Sequence, residues 1–362
     1  MLKEKISSNQ LLTIILYFNL GSSLIIGLGK DTMEDAWITV LITSFIGILI
    51  SMFYNYFQEL IPKKNFFDIV ELIFNRPISI IITLTYIIYF FYLAERVTRD
   101  FGELISVYVI PNTPIEFSMF LLLFIIGYIL YLGIEVLGRV TEVFTPYGLF
   151  FIFLLTILLF SSGNMEMKKI QPILANGVTP LFQSIFPYEI IRPYGQLFAL
   201  TFFFSSLPTN KITKKTIISA VFISGIILSI VTFTITASLG ASRAIYTNFP
   251  LVGAARLINI ADFIQRLDAL AVFIIALGVI IKIAIFLLAG LKGLEYIFQI
   301  PYRFFVFPMI CVSTLFSTFI SFSLTDHLQE SVTVVPYLLS LPFFFMFPAF
   351  LMIIMLFKHQ KN

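Results

Sequence analysis

The chain has 362 residues, of which 59% are hydrophobic and 12% charged, and its formal net charge is +3. Soluble domains usually carry about 25% charged residues. The composition therefore indicates an integral membrane protein and excludes an ordinary soluble domain. The basic residues are dispersed along the chain and not clustered with aromatics, which argues against nucleic-acid binding.

A membrane-spanning helix needs about 20 mostly apolar residues, and ten segments meet this criterion. They cover residues 10–29, 36–60, 78–109, 115–133, 143–162, 194–209, 217–239, 263–293, 302–322 and 335–357. No soluble domain or interdomain linker is visible, so residues 1–362 are predicted to form one all-α transmembrane domain.

The first segment, residues 10–29, is apolar but interrupted by small and polar residues. Its core reads LLTIILYFNLGSSLIIGLG and contains Gly21, Ser22 and Ser23. Hydrocarbon accepts none of the peptide groups that a broken helix frees, so they must face protein, water or a ligand. Broken helices of this kind mark the substrate site in one class of transporters. The alternative is that the small residues only allow close helix packing.

The third segment carries ionisable residues in the stretch YLAERVTRDFGELI. Charges in a span are expensive unless they are paired or hydrated. Helical spacing places Glu95, Arg99 and Glu103 on one face and makes Arg96 and Asp100 a second i,i+4 pair. The spacing predicts an ion-pair network, which either locks the structure or acts as a gate or proton relay.

The sixth segment, residues 194–209, is short and is interrupted by Gly195, Ser205, Ser206 and Pro208. The first and sixth segments correspond if the chain consists of two five-span repeats, at about 10–162 and 194–357. A matched pair of interrupted segments is typical of a transporter-type site near the middle of the membrane.

Lys282 lies within the apolar run ALGVIIKIAIFLLAG, with no acidic residue within a helical turn. A lone buried ammonium either finds a partner on another helix or loses its proton more easily. Near a membrane boundary it would snorkel to water. A third possibility is that Lys282 replaces a bound sodium ion, as a buried lysine does in some proton-coupled amino acid transporters.

The motifs of ATP hydrolysis and common hydrolases are missing from the sequence. It contains no P-loop, H-E-x-x-H, C-x-x-C or G-x-S-x-G motif. The single cysteine is Cys311, and His327 and His359 are far apart in sequence. We therefore expect no enzyme activity, no metal site and no cofactor.

Basic residues in the loops predict the orientation in the membrane. With ten spans both termini lie on the same side, and the loops on that side hold thirteen basic residues against six on the other. Cytoplasmic loops carry the excess of Lys and Arg. Both termini are therefore predicted to be cytoplasmic.

Three stretches resemble a known family when taken in order: ISSNQLLTIILYFNLGSSLIIGLG, PKKNFFDIVELIFNRPI and NFPLVGAARLINIADFIQRLDAL. They resemble the B subunit of spore nutrient germinant receptors, a family similar to the amino acid–polyamine–organocation transporters. The resemblance covers essentially the whole chain. It implies the leucine-transporter fold, in which two inverted five-helix repeats contain broken helices 1 and 6.

The same resemblance implies a place and partners. The protein would lie in the inner membrane of a spore with a larger A subunit and a C-subunit lipoprotein. It would bind a small germinant, often an amino acid, and help to trigger germination. Family members often carry Glu after Gly near the start of the sixth span, whereas this chain has Gln196 after Gly195.

The fold also implies how the ligand is held. Peptide N–H groups at the first break would bind a carboxylate, carbonyls at the sixth would bind an ammonium, and two tyrosines chosen by position would close the pocket. These ligand-binding residues are Gly21, Ser22, Ser23, Leu24, Tyr89, Tyr92, Phe203, Phe204, Ser205 and Ser206.

Three functions are compatible with the sequence. The preferred one is a germinant-sensing membrane subunit built on a transporter scaffold. The alternatives are a working proton-coupled amino acid transporter and a scaffold that only holds partner subunits. Uptake of labelled amino acid would favour the transporter, and ligand-dependent stabilisation without uptake would favour the sensor.

Overall fold

The computed structural model describes residues 6–61, 64–203, 211–260, 264–265, 267–321 and 323–359, and these are almost entirely helical. The α-helices are α1 (Ser8–Ile26), α2 (Ala36–Glu59), α3 (Phe66–Ile73), α4 (Arg76–Tyr108), α5 (Ile115–Leu132), α6 (Ile134–Ser161), α7 (Thr179–Ser184), α8 (Lys211–Leu239), α9 (Ala241–Tyr246), α10 (Pro250–Ala255), α11 (Asp268–Phe298), α12 (Val306–Phe319), α13 (Leu324–Thr333) and α14 (Phe347–His359).

Shorter elements connect these helices. The 3₁₀ helices are Lys30–Asp35, Met167–Ile170, Gly195–Phe202 and Tyr302–Phe304, and the π-helices are Ile185–Tyr194, Val335–Ser340 and Pro342–Met346. Strands β1 (Asn259–Ile260) and β2 (Ile264–Gln265) pair antiparallel, with Asn259 opposite Gln265.

Within the described residues, eight helical segments are long and apolar enough to cross a membrane. They are Ser8–Ile26, Lys30–Phe57, Arg76–Tyr108, Ile115–Leu132, Ile134–Ser161, Thr213–Leu239, Asp268–Phe298 and Val335–Phe357. The protein is therefore an all-α, multi-pass membrane protein. These eight correspond to the predicted spans other than the sixth and the ninth.

The sixth and ninth predicted spans differ from regular spanning helices. At the ninth, α12 is only 14 residues long and α13 turns away from it by 98°. At the sixth, the described part is the 3₁₀ helix Gly195–Phe202, which directly follows the π-helix Ile185–Tyr194. The prediction of ten spans in two inverted repeats therefore remains a prediction.

Two predicted boundaries are shifted because hydropathy detects only the part of a helix that lies in lipid. The fifth span was predicted at 143–162, but α6 begins at Ile134, directly after Gly133 with its φ of 114°. The eighth was predicted at 263–293, but α11 begins at Asp268 and continues to Phe298. In both cases regular helix continues through charged residues that the apolar criterion rejects.

Helices α1 and α11 form the centre of the molecule, and α6 lies at its periphery. In their apolar windows 83% of α1 and 72% of α11 are buried, against 22% of α6. Helix α1 packs against α11, α8 and α6, and α11 also packs against α4. The interrupted first span is therefore surrounded by protein on most sides.

A cluster of aromatic rings fills the core at one end of the bundle. Phe66 of α3 has its ring centroid 5.0 Å from the centroids of both Tyr86 and Phe198. A capping box formed by Asn65 and Asp68 starts α3. The loop helix α3 is thus anchored in the bundle and not free on its surface.

Candidate functional site

The first span is broken at Gly21, where the sequence predicts an interruption. Gly21 has φ −29° and ψ −105°, outside the helical range, in the middle of α1. A Cβ atom at Gly21 would lie 2.9 Å from the backbone oxygen of Gly278, and one at Gly278 would lie 2.7 Å from the nitrogen of Gly21. Real Cβ atoms do not approach so closely, so both glycines are needed for α1 and α11 to touch at the break.

Lys282 lies one turn beyond Gly278 on α11 and is 0% exposed. Its Nζ donates a hydrogen bond to Ser22 Oγ at 2.8 Å and lies 5.1 Å from the centroid of the Phe18 ring. Among the described residues no carboxylate pairs with it. Its full burial contradicts the expected snorkelling, and the cross-helix ion pair is not seen among the described residues. A sodium-replacing role stays a prediction.

Further polar groups lie along α1 beside the break. Asn19 donates from Nδ2 to Ser224 Oγ on α8 at 2.8 Å. The Oδ1 atom of Asn19 and the Oγ atom of Ser23 are buried without a partner among the described residues. Leu24, the last of the four predicted residues, is also buried. Buried polar atoms are normally hydrogen-bonded, so these two can accept a ligand or water.

The described part of the sixth segment, residues 194–203, forms the 3₁₀ helix Gly195–Phe202 and not a regular α-helix. The π-helix Ile185–Tyr194, with non-helical backbone at Phe186 and Arg192, directly precedes it. Phe203 is buried at the end of this segment. The other predicted ammonium-binding residues, Phe204, Ser205 and Ser206, lie outside the described residues, and their role stays a prediction.

Glu189 connects the π-helix that precedes the sixth segment to the end of the first segment, a contact that sequence reasoning missed. Its Oε1 accepts a hydrogen bond of 2.7 Å from the backbone N–H of Gly29. Burial raises the pKa of Glu189 to about 8, although the Gly29 N–H and the nearby Arg192 act in the opposite direction. The sequence signal that could have indicated this contact is an acidic residue between two prolines, in the stretch PYEIIRP. Gln196 has a buried Oε1 without a partner among the described residues.

The two tyrosines assigned to the pocket by position have other neighbours. Tyr89 donates to Ser340 Oγ at 2.8 Å and stacks on Phe343 with centroids 4.4 Å apart. Tyr92 donates to Glu330 on α13 at 3.0 Å. Phe90 points toward α11, where its ring stacks on that of Phe286. These contacts do not support Tyr89 and Tyr92 as pocket residues, because one residue along a helix changes the face by about 100°.

The charged residues of α4 are paired mainly with α13. The spacing predicts a pair between Arg96 and Asp100, but each has a partner further along the chain. Arg96 Nη1 lies 2.7 Å from Glu330 Oε2, and Asp100 Oδ1 lies 2.9 Å from His327 Nε2. Arg96 also donates to Tyr92 Oη, the His327 carbonyl oxygen and Ser331 Oγ. The predicted Arg96–Asp100 pair is therefore wrong, because tertiary contacts outcompete an i,i+4 neighbour.

The other predicted pair of α4 is present. Arg99 Nη2 lies 2.7 Å from Glu103 Oε1, at the i,i+4 spacing. Glu95 is buried on the same face and has no ion pair among the described residues. These contacts show a network that joins α4 to itself and to α13. Whether it also acts as a gate stays a prediction.

The geometry as a whole brings polar groups to the centre of the bundle. The break in α1 contacts Lys282, the fully buried lysine of α11. The irregular helices at 185–202 pack on α1 from another side. The amide oxygen of Asn19 and the hydroxyl of Ser23, which have no partner among the described residues, lie within two residues of the break on α1. Such an arrangement can bind a small polar molecule, since convergent polar groups in an apolar surrounding give orientation and specificity.

Comparison with known proteins gives consistent matches along the chain. The family model described as "Spore germination protein" matches residues 5–331. Spore germination protein KB of Bacillus subtilis (strain 168) is 30% identical over 99% of this chain and 97% of its own length. In the same organism, spore germination protein B2 is 22% identical over 68% of this chain and 69% of its own length. Spore germination protein A2 is 29% identical over 43% and 42%.

Proposed function

The chain belongs to the spore germination protein family, and from this premise we propose that it is the nutrient-sensing membrane subunit of a spore germination receptor. It binds a small, amino-acid-like germinant at the break of its first span. Its relatives are named as spore germination proteins, which supports a role in germination. The ligand and the receptor role are our proposal.

The observation that carries the proposal is the break at Gly21 against Gly278 and Lys282. A helix that restarts exposes backbone N–H groups at its new first turn. Those groups carry the positive end of the helix dipole and favour a carboxylate. The Ser23 hydroxyl, which has no partner among the described residues, lies within this turn. The break therefore offers an anion site within the first span.

We further propose the complete architecture that the resemblance implies. Ten spans form two inverted repeats, at about 10–162 and 194–357, with helices 1 and 6 broken. Both termini face the cytoplasm, which the excess of basic residues in the corresponding loops supports. The protein acts in the spore inner membrane together with a larger A subunit and a C-subunit lipoprotein.

The test uses the full chain in lipid nanodiscs. Free amino acids are added one at a time, and the melting temperature of the protein is recorded. A ligand that binds only the native state raises it, and the stabilisation grows with the logarithm of the ligand concentration once that concentration exceeds Kd. We expect at least one amino acid to stabilise the wild type and none to stabilise Gly21→Leu or Ser23→Leu.

A conservative variant and a matched control guard against misfolding. Ser22→Ala removes the acceptor of Lys282 without added volume and should weaken binding in a protein that still folds. Ser118→Leu makes the Ser23→Leu change on α5, away from the break, and should bind like the wild type. Full stabilisation of Ser23→Leu by the same amino acid would refute the site.

The second candidate function is proton-coupled amino acid transport. The buried ammonium of Lys282 at the break favours it, because a protonable group there can alternate between charged and neutral forms. Vesicles with an imposed pH gradient and labelled amino acid decide between the two functions. Uptake that depends on the gradient and is lost in Lys282→Met would establish the transporter, and stabilisation without uptake would establish the sensor.

A further inference from the structure

A cavity of about 300 Å³ lies between four of the helices that are long and apolar enough to cross a membrane. Its wall is formed by α1, α5, α6 and α11, and includes Tyr17, Ile129, Thr141, Phe144 and Leu277. For comparison, an engineered apolar cavity of about 150 Å³ binds benzene. The space is therefore large enough for a hydrocarbon group of several carbon atoms.

The cavity extends from the surface of the helix bundle into its interior. In its wall, Ile125, Phe144 and Phe273 are 52%, 37% and 38% exposed, whereas Tyr17 and Ile281 are 2% and 3% exposed. Only 33% of the apolar window of α5 and 22% of that of α6 are buried within the protein. The exposed remainder of such helices faces lipid, so the cavity is continuous with the lipid-facing surface of α5 and α6.

The polar groups in the wall of the cavity are already hydrogen-bonded. Tyr17 Oη donates to the carbonyl oxygen of Phe144 at 3.1 Å. Thr141 Oγ1 donates to the carbonyl oxygen of Gly138 at 2.7 Å and accepts from Thr13 Oγ1 at 3.1 Å. A buried water needs about two to four polar partners, and an apolar cavity without them stays dry. An apolar occupant therefore suits this space better than water or a polar molecule.

We propose that the cavity binds an acyl chain of a membrane phospholipid, which enters from the lipid-facing surface and reaches Tyr17 of α1. An empty space inside a packed protein forfeits dispersion contacts, and the cost grows with its volume. The bilayer supplies hydrocarbon chains directly at the mouth of the cavity, so a chain fills the space. This inference does not rest on the proposed function, because lipid binding is measured without a germinant.

The bound acyl chain packs beside the contact between α1 and α11 at the break. A Cβ atom at Gly278 would lie 3.2 Å from the backbone oxygen of Tyr17. Leu277 and Ile281, which precede Gly278 and Lys282 in α11, both line the cavity. The chain thus contacts both helices where they touch each other, and we expect it to stabilise that contact.

The first experiment maps the lipid contacts of the full chain in nanodiscs. Part of the lipid is a phosphatidylcholine with a diazirine in its acyl chain, and the residues labelled on illumination are identified by mass spectrometry. In the wild type the label should reach the buried residues Tyr17 and Ile281. In Ala276→Phe, whose larger side chain fills the cavity, this labelling should be lost. Ala349→Phe makes the same change at a partly exposed position of α14 and should be labelled like the wild type.

The second experiment measures the melting temperature of the delipidated protein in detergent. Addition of dioleoylphosphatidylcholine should raise it in the wild type and in Ala349→Phe, because the lipid binds the native state. The rise should be clearly smaller in Ala276→Phe, in which a side chain already occupies the cavity. An equal rise in all three proteins would contradict binding at this place.

The remaining outcomes of the labelling experiment also decide the inference. If Ala276→Phe does not fold, Ile280→Phe replaces it, since Ile280 also lines the cavity. Unchanged labelling of Tyr17 and Ile281 in the filled variant would show that lipid reaches them elsewhere and would overturn the inference. Label on Ile125 alone would leave the interior without lipid, and a wild type unlabelled even at Ile125 would indicate that a second copy of the chain covers the mouth. Either result would overturn the inference.

Discussion

Two regions of the protein interior hold ionisable side chains, and they differ in how those side chains are satisfied. On α4, Arg96 and Asp100 are paired with residues of α13, and Arg99 with Glu103. Around α1, Lys282 has one hydroxyl partner at the break, and Glu189 and Arg192, in the π-helix that packs on α1, each keep an atom without a partner among the described residues. Ion pairs between helices stabilise one arrangement of those helices, whereas a charged group without a counter-charge favours binding of a further molecule. We therefore assign structure to the first region and ligand recognition to the second.

The largest expected effect is that of Arg96→Ala, which breaks the ion-pair network of α4. Arg96→Ala removes an ion pair of 2.7 Å and three further hydrogen bonds. Arg96 is buried, whereas the Glu330 side chain is 36% exposed, so the loss comes mainly from the hydrogen bonds of Arg96, each worth about 1.5–3 kcal/mol. We therefore expect low abundance in the membrane and a much lower melting temperature. Arg139→Ala, which breaks an exposed i,i+4 pair with Glu135, should change little. An Arg96→Ala protein of normal abundance without ligand response would instead indicate a gate.

At the break of α1 we expect a substitution to raise the melting temperature instead of lowering it. Lys282→Met replaces an ammonium, buried without an ion pair among the described residues, by an apolar side chain of similar length. A buried charge without a counter-charge is costly, so the melting temperature should rise while ligand binding is lost. Lys292→Met, at a partly exposed pair with Glu295, serves as the control. A Lys282→Met protein that melts lower than the wild type would show that Lys282 is structural, like the charges of α4.

A pH titration sharpens the comparison at Glu189. Its pKa in the folded protein is about 8, against an ordinary value of 4.5, because of burial. The folded state therefore holds a proton that the unfolded state has lost, so stability is highest at low pH and falls as pH rises through 8. Between pH 7 and 9 we expect a loss of roughly 1–2 kcal/mol. Thermal unfolding of Glu189→Gln should lack this component, and an equal slope in both proteins would contradict the assignment.

The smallest effect concerns Tyr89. Tyr89→Phe removes one hydrogen bond to Ser340 and keeps the stacking on Phe343. A single neutral hydrogen bond contributes about 1 kcal/mol, so the melting temperature should fall slightly and the affinity for the amino acid should not change. A large loss of affinity with unchanged stability would instead show that Tyr89 is a ligand-binding residue.

Local sequence was sufficient where a structural feature depends on adjacent residues. Gly21 and two serines interrupt a run of apolar side chains, and the backbone breaks there. The i,i+4 spacing of Arg99 and Glu103 gave a real ion pair. Spacing failed for Arg96 and Asp100, because their partners, Glu330 and His327, lie more than 200 residues away.

The position of a residue along a helix did not predict which way its side chain points. Tyr89 and Tyr92 are at plausible depth, yet their hydroxyl groups meet Ser340 and Glu330. Glu189 was overlooked because it precedes the predicted sixth span, although its carboxyl is bonded to the backbone of Gly29. Hydropathy indicates that a segment enters lipid but not which of its faces meets another helix.

The amino-acid sequence by itself determined that this protein is a helical membrane protein, where its first span is interrupted, and the family to which it belongs. These properties follow from composition and short-range pattern, since lipid requires long apolar helices and every polar group exposed to it costs free energy. Only the tertiary structure decided which polar groups meet in the interior. Gly278 leaves space for Gly21, Lys282 is bonded to a hydroxyl and to no carboxylate among the described residues, and Asp100 is paired with His327. All three contacts join segments that are far apart in the chain.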